Sequence, residues 1–180
     1  MRTPTPTPLT SSCLPALCCC CCCCCCRPGA GSPPDCDSVG GRALKHTVPE
    51  IDVKRENTTV IEKTLFSMVT PEVEAVLQSQ PERKDAIIVG IEAHVCALQS
   101  TYDLIARGYT VHVVADGISS QRALDRTVGL TRMQAAGAHL TSAESMMFEL
   151  LRSKDHPQFK PVSALVKRKR PELADQLVGL

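Results

Sequence analysis

The chain has 180 residues with 20 basic and 19 acidic side chains. A net charge of +1 gives no global electrostatic reason to expect nucleic acid or an acidic membrane as partner. The length suits a single domain, and with no Trp, two Tyr and three Phe its core must be aliphatic.

Residues 1 to 45 read as a disordered low-complexity tail, and residues 46 to 180 as one globular domain. TPTPTP opens the tail, nine consecutive cysteines (Cys18 to Cys26) follow, and RPGAGSPP comes after them. Eleven of the 12 cysteines lie in residues 1 to 36. Adjacent cysteines cannot easily bridge, so the run is not a disulfide framework. Three readings of it compete. A coding repeat without a selected role is favoured over a palmitoylated tail and over a soft-metal site, whose ligands need spacing. Membrane tethering through Cys18 to Cys26 is therefore disfavoured. Leu14 to Cys26 could pass as the apolar core of a signal peptide, but its basic region holds only Arg2. No stretch is long and apolar enough to span a bilayer as a helix.

From His46 the composition becomes globular. Thr58 to Ile61 reads as a short strand leading to Lys63. Thr70-Pro71-Glu72 is a helix start, with Thr as N-cap, Pro at the first helical position and an acid near the positive end. Val73, Val76 and Leu77 give that helix an apolar face. Ala86 to Ile91 is a continuous apolar strand, as in a sheet covered on both faces. The following helix carries Val95, Leu98, Tyr102 and Ile105 at three- and four-residue spacing and ends at Gly108. Thr110 to Ala115 is a further strand, closed by a turn at Asp116-Gly117 and Ser119-Ser120. A helix from 121 to 136 ends at Gly137, and a short strand spans 138 to 140. Thr141 and Glu144 suggest a capping box for a helix from 142 to 151. A last helix runs from about 157 to 166. Strand and helix alternating at this spacing predict an α/β fold, a three-layer α/β/α doubly wound parallel sheet.

Cys96 is the only cysteine after Val39. It falls where a parallel strand hands over to a helix. Helix N-terminal N–H groups favour a thiolate there, and ligand sites of open α/β sheets gather at that edge. The bland alternative is a buried thiol acting as a small hydrophobe. A domain with one thiol reads as intracellular, hence cytoplasmic. Lys167 to Arg170 reads as the solvated basic end of the last helix, or as a nuclear import signal. Asn57-Thr58-Thr59 fits a glycosylation sequon without secretory support. A phosphate-binding glycine loop is absent, and no cofactor or metal is expected.

Five blocks carry a resemblance: TVPEID from Thr47, EKTLFSMV from Glu62, GIEAHVC from Gly90, DGISSQRALDR from Asp116 and HPQFK from His156. Together they resemble the isochorismatase-like hydrolase family, in particular its eukaryotic branch of isochorismatase domain-containing proteins. The resemblance implies catalysis by an Asp, a Lys and a Cys. Cys96 matches the nucleophile that attacks a carbonyl or related carbon. Lys63 matches the lysine that lowers the thiol pKa, its alternative being a solvated lysine beside Glu62. A cis peptide is implied at Ile91–Glu92, directing the N–H groups of Glu92 and Cys96 at a developing oxyanion. One such donor is worth roughly 100- to 1000-fold in rate. Ile91, Glu92 and His94 are the expected oxyanion and pocket residues. His94 is two residues from Cys96, and such positions do not face each other on a helix, so a pocket role is favoured over a Cys–His pair. Asp116 is expected to satisfy turn N–H groups.

The departure is the aspartate, which in the family ends an apolar first strand. Asp35 and Asp37 lie in a Pro/Gly/Ser segment, and Asp52 belongs to TVPEID. The resemblance implies a sheet ordered 3-2-1-4-5-6, of which the first two strands have no counterpart here. The strand at Ala86 to Ile91 is then expected to have a naked edge. With only about 5 to 15 kcal/mol holding a domain together, this polypeptide is expected to be unstable or inactive alone. The function implied is hydrolysis of a small molecule, an amide or related C–N bond, through a Cys nucleophile and impaired by the absent Asp. The alternative is a non-catalytic isoform or interaction protein. A homo-oligomer is left open.

Overall fold

The computed structural model describes residues 17–20, 54, 58–61 and 63–168. The rest of the expected low-complexity tail, and the TVPEID block, lie outside these residues. Four parallel strands form one sheet in the order β1-β2-β3-β4: β1 Leu17–Cys20, β2 Asp85–Ile91, β3 Thr110–Ile118 and β4 His139–Thr141. The helices are α1 Pro71–Gln78, α2 Leu98–Ala106, α3 Ala123–Ala135, α4 Ala143–Leu151 and α5 Phe159–Val166, and a π turn at Ala93–Ala97 leads into α2.

The layers follow from the two-residue alternation of the strands. Ala86, Ile88, Val111 and Val113 face a core built with Val73 and Leu77 of α1, Leu98 and Leu104 of α2, and Leu130 and Met133 of α3. Ile87 and Val114 face the other way, against Met146 of α4, with Val89 and Ala143 packed alongside. Helices therefore cover both faces, the expected three-layer arrangement. No helix among the described residues is long and apolar enough to cross a membrane.

Local chemistry explains most boundaries. Thr70 caps α1, its hydroxyl accepting from the Val73 N–H at 3.4 Å, with Pro71 as the first helical residue. The same hydroxyl, together with the Glu72 backbone N–H, holds the Glu72 carboxyl below the usual carboxylate range. Gly108 and Gly137 follow α2 and α3 with φ of +80° and +105°, the left-handed exit an L side chain resists.

Five expectations are corrected. Thr58 to Ile61 is not a strand: no described residue pairs with it, and Thr58 to Val60 are exposed while Ile61 packs on the core. A strand without a ladder leaves its backbone to water. Second, β3 runs past Ala115 to Ile118, because a register shift between Ile88 and Gly90 lets Gly90 pair with Ile118. Gly117 is thus a close-approach glycine: a Cβ there would lie 3.2 Å from Val114 Cγ1 and Val89 Cγ1. Third, the cap of α4 is Ser142, accepting from the Ser145 N–H at 3.2 Å, one residue after the expected Thr141. Fourth, the deepest line of the helix after β2 is Cys96, Ala97, Ser100, Thr101 and Leu104, while Val95, Tyr102 and Ile105 are half-buried. Small side chains let this helix approach α3 closely.

The fifth concerns the edge of β2. It is not naked, because β1 pairs with it in parallel, Leu17 opposite Ile88 through Cys20 opposite Ile91.

Two outcomes test this packing. Thr70→Ala is expected to lower the unfolding free energy by about 1 kcal/mol and to let the Glu72 carboxyl titrate at higher pH; denaturant melts and carboxyl NMR titration check both. At Gly129 an added Cβ would sit 2.8 Å from the Ala93 carbonyl carbon and 2.9 Å from the His94 nitrogen. Gly129→Ala must therefore push α3 off the π turn, at a cost of about 1–3 kcal/mol in the same melts.

Candidate functional site

The site grows from the end of β2. Gly90 leaves the strand with φ of +119°, and the Ile91–Glu92 peptide is cis, at the position the resemblance implies. The chain then enters the π turn, where the Ala97 N–H donates to the Glu92 carbonyl at 3.2 Å, five residues back. Widened turns of this kind frequently occur at functional sites. Cys96 is the fourth residue of the turn and has no exposed surface. Its neighbours are Met68 and Val95.

Hydrogen bonds fix this turn to the segment after β3. The Ser119 N–H donates to the Gly90 carbonyl at 3.1 Å, and the Ala93 N–H donates to the Ser119 carbonyl at 2.9 Å. Ala93 also donates to the Ser120 hydroxyl at 3.1 Å, and that hydroxyl lies 3.1 Å from His94 Nδ1. Glu92 Oε2 accepts from the Gln121 N–H at 2.9 Å and sits 4.0 Å from His94 Nδ1. The sequence-predicted pocket residues Glu92 and His94 are thus brought together, with the Ser119–Gln121 segment as their common partner. Ile91 stands beside them with 37 % of its surface exposed. At its C-terminal end β3 is braced by Arg126, whose guanidinium donates to the Ile118 carbonyl at 2.8 Å and to the Ala115 carbonyl. Burial lowers the Arg126 pKa, opposed by the Asp116 charge.

Lys63 lies in the segment before α1. It is buried, and its ammonium donates to the carbonyls of Leu65 and Phe66 at 2.7 and 2.9 Å. The segment it folds continues to Met68, which packs on Cys96. Ser100 ties the two pieces together: its hydroxyl accepts from the Met68 N–H at 2.8 Å and donates to the Cys96 carbonyl at 2.7 Å. Met68, five residues after Lys63, thus contacts Cys96 directly, while Glu92 and His94 are half-buried and Ile91 is exposed at the end of β2.

Asp116 reaches the start of α4. Its Oδ1 accepts from the Ala143 N–H at 2.7 Å, the first residue of α4, where a carboxylate suits the positive helix end. Sequence reasoning assigned no role to Ser100, Ser120, Arg126 or Gly129. Ser120 and Arg126 lay in a recognised block without a function, and Ser100 carried a signal in being polar on a buried helix face. Among the described residues no group of three His, Cys, Asp or Glu side chains could hold a metal.

Comparison with known proteins gives the family. Residues 31–145 match the Isochorismatase domain family. The chain is 41% identical over 131 residues to isochorismatase domain-containing protein 1 of Salmo salar, an alignment covering 73% of this chain and 46% of that protein. It is 43% identical over 131 residues to the secreted isochorismatase effector Isc1 of Phytophthora sojae, covering 71% and 62%. The chain thus spans from about half to under two thirds of the length of these relatives. Among solved structures, the MAR1 ribonuclease of Caenorhabditis elegans superposes with a TM-score of 0.69 at 44% identity, covering 76% of this chain and 69% of that one. By family match, identity and superposed fold, the chain belongs to the isochorismatase-like hydrolase family.

Proposed function

We propose that the chain carries the core of a cysteine hydrolase centre for a small molecule, with Cys96 as nucleophile and Lys63 as its cationic neighbour. The observation that carries the reading is the Met68–Ser100–Cys96 bridge, which joins the Lys63 segment to the turn holding the thiol. In the proposed step the Cys96 thiolate bonds to an amide carbonyl carbon. The C–N bond then breaks, and the amine leaves with a proton. Water attacks the resulting thioester, releasing the acid and restoring the thiol. Glu92 and Cys96 N–H groups are the proposed oxyanion donors, and Ile91 and His94 the proposed rim.

The same reading includes impairment. Asp35, Asp37 and Asp52 do not stand in the apolar run from which the family takes its proton acceptor. Cys96 has no exposed surface through which substrate could reach it. Both observations favour a second reading, in which this polypeptide is a non-catalytic interaction protein on the family's scaffold. A reducing, cytoplasmic compartment suits either.

RNA enters as a competing substrate through the names of structural relatives, the nematode ribonuclease among them. The near-balanced charge of the whole chain favours a small molecule.

Thiol alkylation at Cys96, followed by peptide mass, tests the nucleophile. An activated thiolate reacts faster than free cysteine, and Lys63→Ala slows it by about tenfold or more. Equal rates in both proteins, matching free cysteine, overturn the role of Cys96. Turnover is then measured on a panel of small amides and on RNA; cleavage of RNA alone rejects the small-molecule reading. Ser100→Ala is expected to cost about 1 kcal/mol of stability, because it removes the hydrogen-bond partner of the part-buried Met68 N–H. It should also change the alkylation rate of Cys96, which a purely remote packing defect would leave alone.

A further inference from the structure

The charge of this molecule is balanced only in sum. Residues 152–170 hold seven of its 20 basic residues and one of its 19 acidic ones, Asp155. That stretch is +6, and the other 161 residues are −5. Its structured part is the loop after α4 and helix α5. Arg152, Lys154, Lys160, Lys167 and Arg168 are all exposed, and none takes part in an ion pair among the described residues. Lys169 and Arg170 continue the run in the sequence.

Helix α5 is also unusually bare, with no buried residue. Phe159, Val162 and Val166 are half-buried, and the Phe159 ring lies 6.3 Å from that of Phe148 on α4. The outward side carries Lys160, Lys167, Arg168 and Leu165, the last with 49 % of its surface exposed. An exposed leucine half a turn before a block of cations is an amphipathic surface of a specific kind.

We propose that α5, with Lys167 and Arg168 at its end, forms a docking surface for an anionic phospholipid membrane. Clustered Lys and Arg on or beside an amphipathic helix are drawn to acidic headgroups, and an exposed apolar side chain gains by entering the headgroup–acyl boundary. A nucleic acid would also attract the cations. It offers nothing to Leu165, however, and single strands are held by stacking on free aromatic rings. Residues 152–170 contain no Tyr or Trp, and their one Phe is paired with Phe148. The attachment is peripheral and reversible, and it is independent of the hydrolase reading.

The test is co-sedimentation of the full, unacylated chain, kept reduced, with phosphatidylcholine vesicles with and without about one lipid in three as phosphatidylserine. Binding is expected only with phosphatidylserine, and it should weaken as salt rises. Lys167→Glu/Arg168→Glu is expected to reduce binding at least about tenfold. The neutral pair Lys167→Gln/Arg168→Gln should weaken it less, which guards against a folding defect in the reversed variant. Leu165→Ser should weaken it without changing the salt slope. Equal binding to both vesicles, no binding, indifference to charge reversal, or tighter binding to polyuridylic acid than to the vesicles overturns the proposal.

Discussion

The N–H of Ala93 lies at the centre of the hydrogen bonds that join the ends of β2 and β3. It donates to the Ser119 carbonyl and the Ser120 hydroxyl, while the Ser119 N–H returns a bond to Gly90. The ends of β2 and β3 are thereby locked together just where each chain leaves the sheet. Each bond contributes only about 1 kcal/mol net. Their geometry nevertheless sets the start of the π turn, and the turn sets where Cys96 lies. Gly129 completes the arrangement from the other side, since its missing side chain is what allows α3 to touch the Ala93 peptide. The partners that hold this turn are Ser119, Ser120 and Gln121, within the sequence block from Asp116, and Gly129 three residues beyond it.

Two assemblies meet at this turn and differ in character. Lys63, Ser100 and Cys96 are buried and Met68 half-buried, and their hydrogen bonds run largely to backbone carbonyls and amides. Glu92 and His94 are half-buried, and their partners are a serine hydroxyl and an amide on the following loop. Polar groups buried in such a network hold one geometry because each lost partner leaves an unsatisfied group. The rim has water as an alternative partner and can adjust at little cost. Rigidity is concentrated on the nucleophile side and adaptability on the side a ligand would meet first.

How far the sequence foretells this depends on whether the controlling force is local. β2 and the helices α1 to α4 are legible because apolar period, caps and exit glycines act within a few residues. The continuation of β3 through Asp116-Gly117 is not: an Asp-Gly pair reads as a turn, and only the ladder to Gly90 makes it strand. The π turn is equally silent, since a five-residue hydrogen bond reflects the contacts with Ser119 and Gly129 and not the propensity of AHVCA. Cys96 and Lys63 were legible as a pair only through the resemblance. Ser100, which connects them, needed coordinates, because a serine four residues after a cysteine is unremarkable until its two bonds are seen.

The pairing of β1 with β2 has a peculiarity of its own. Ordinarily a strand's register is chosen because a slip by one residue exchanges every side chain for a different one. Here Leu17 is followed by nine identical cysteines. Advancing the chain by one position replaces each of Cys18, Cys19 and Cys20 by another cysteine, and only Leu17 opposite Ile88 distinguishes one alignment from the next. Within Cys18–Cys20 the sequence does not distinguish one alignment from the next, so the observed register, Leu17 opposite Ile88, is marked in the sequence by Leu17 alone.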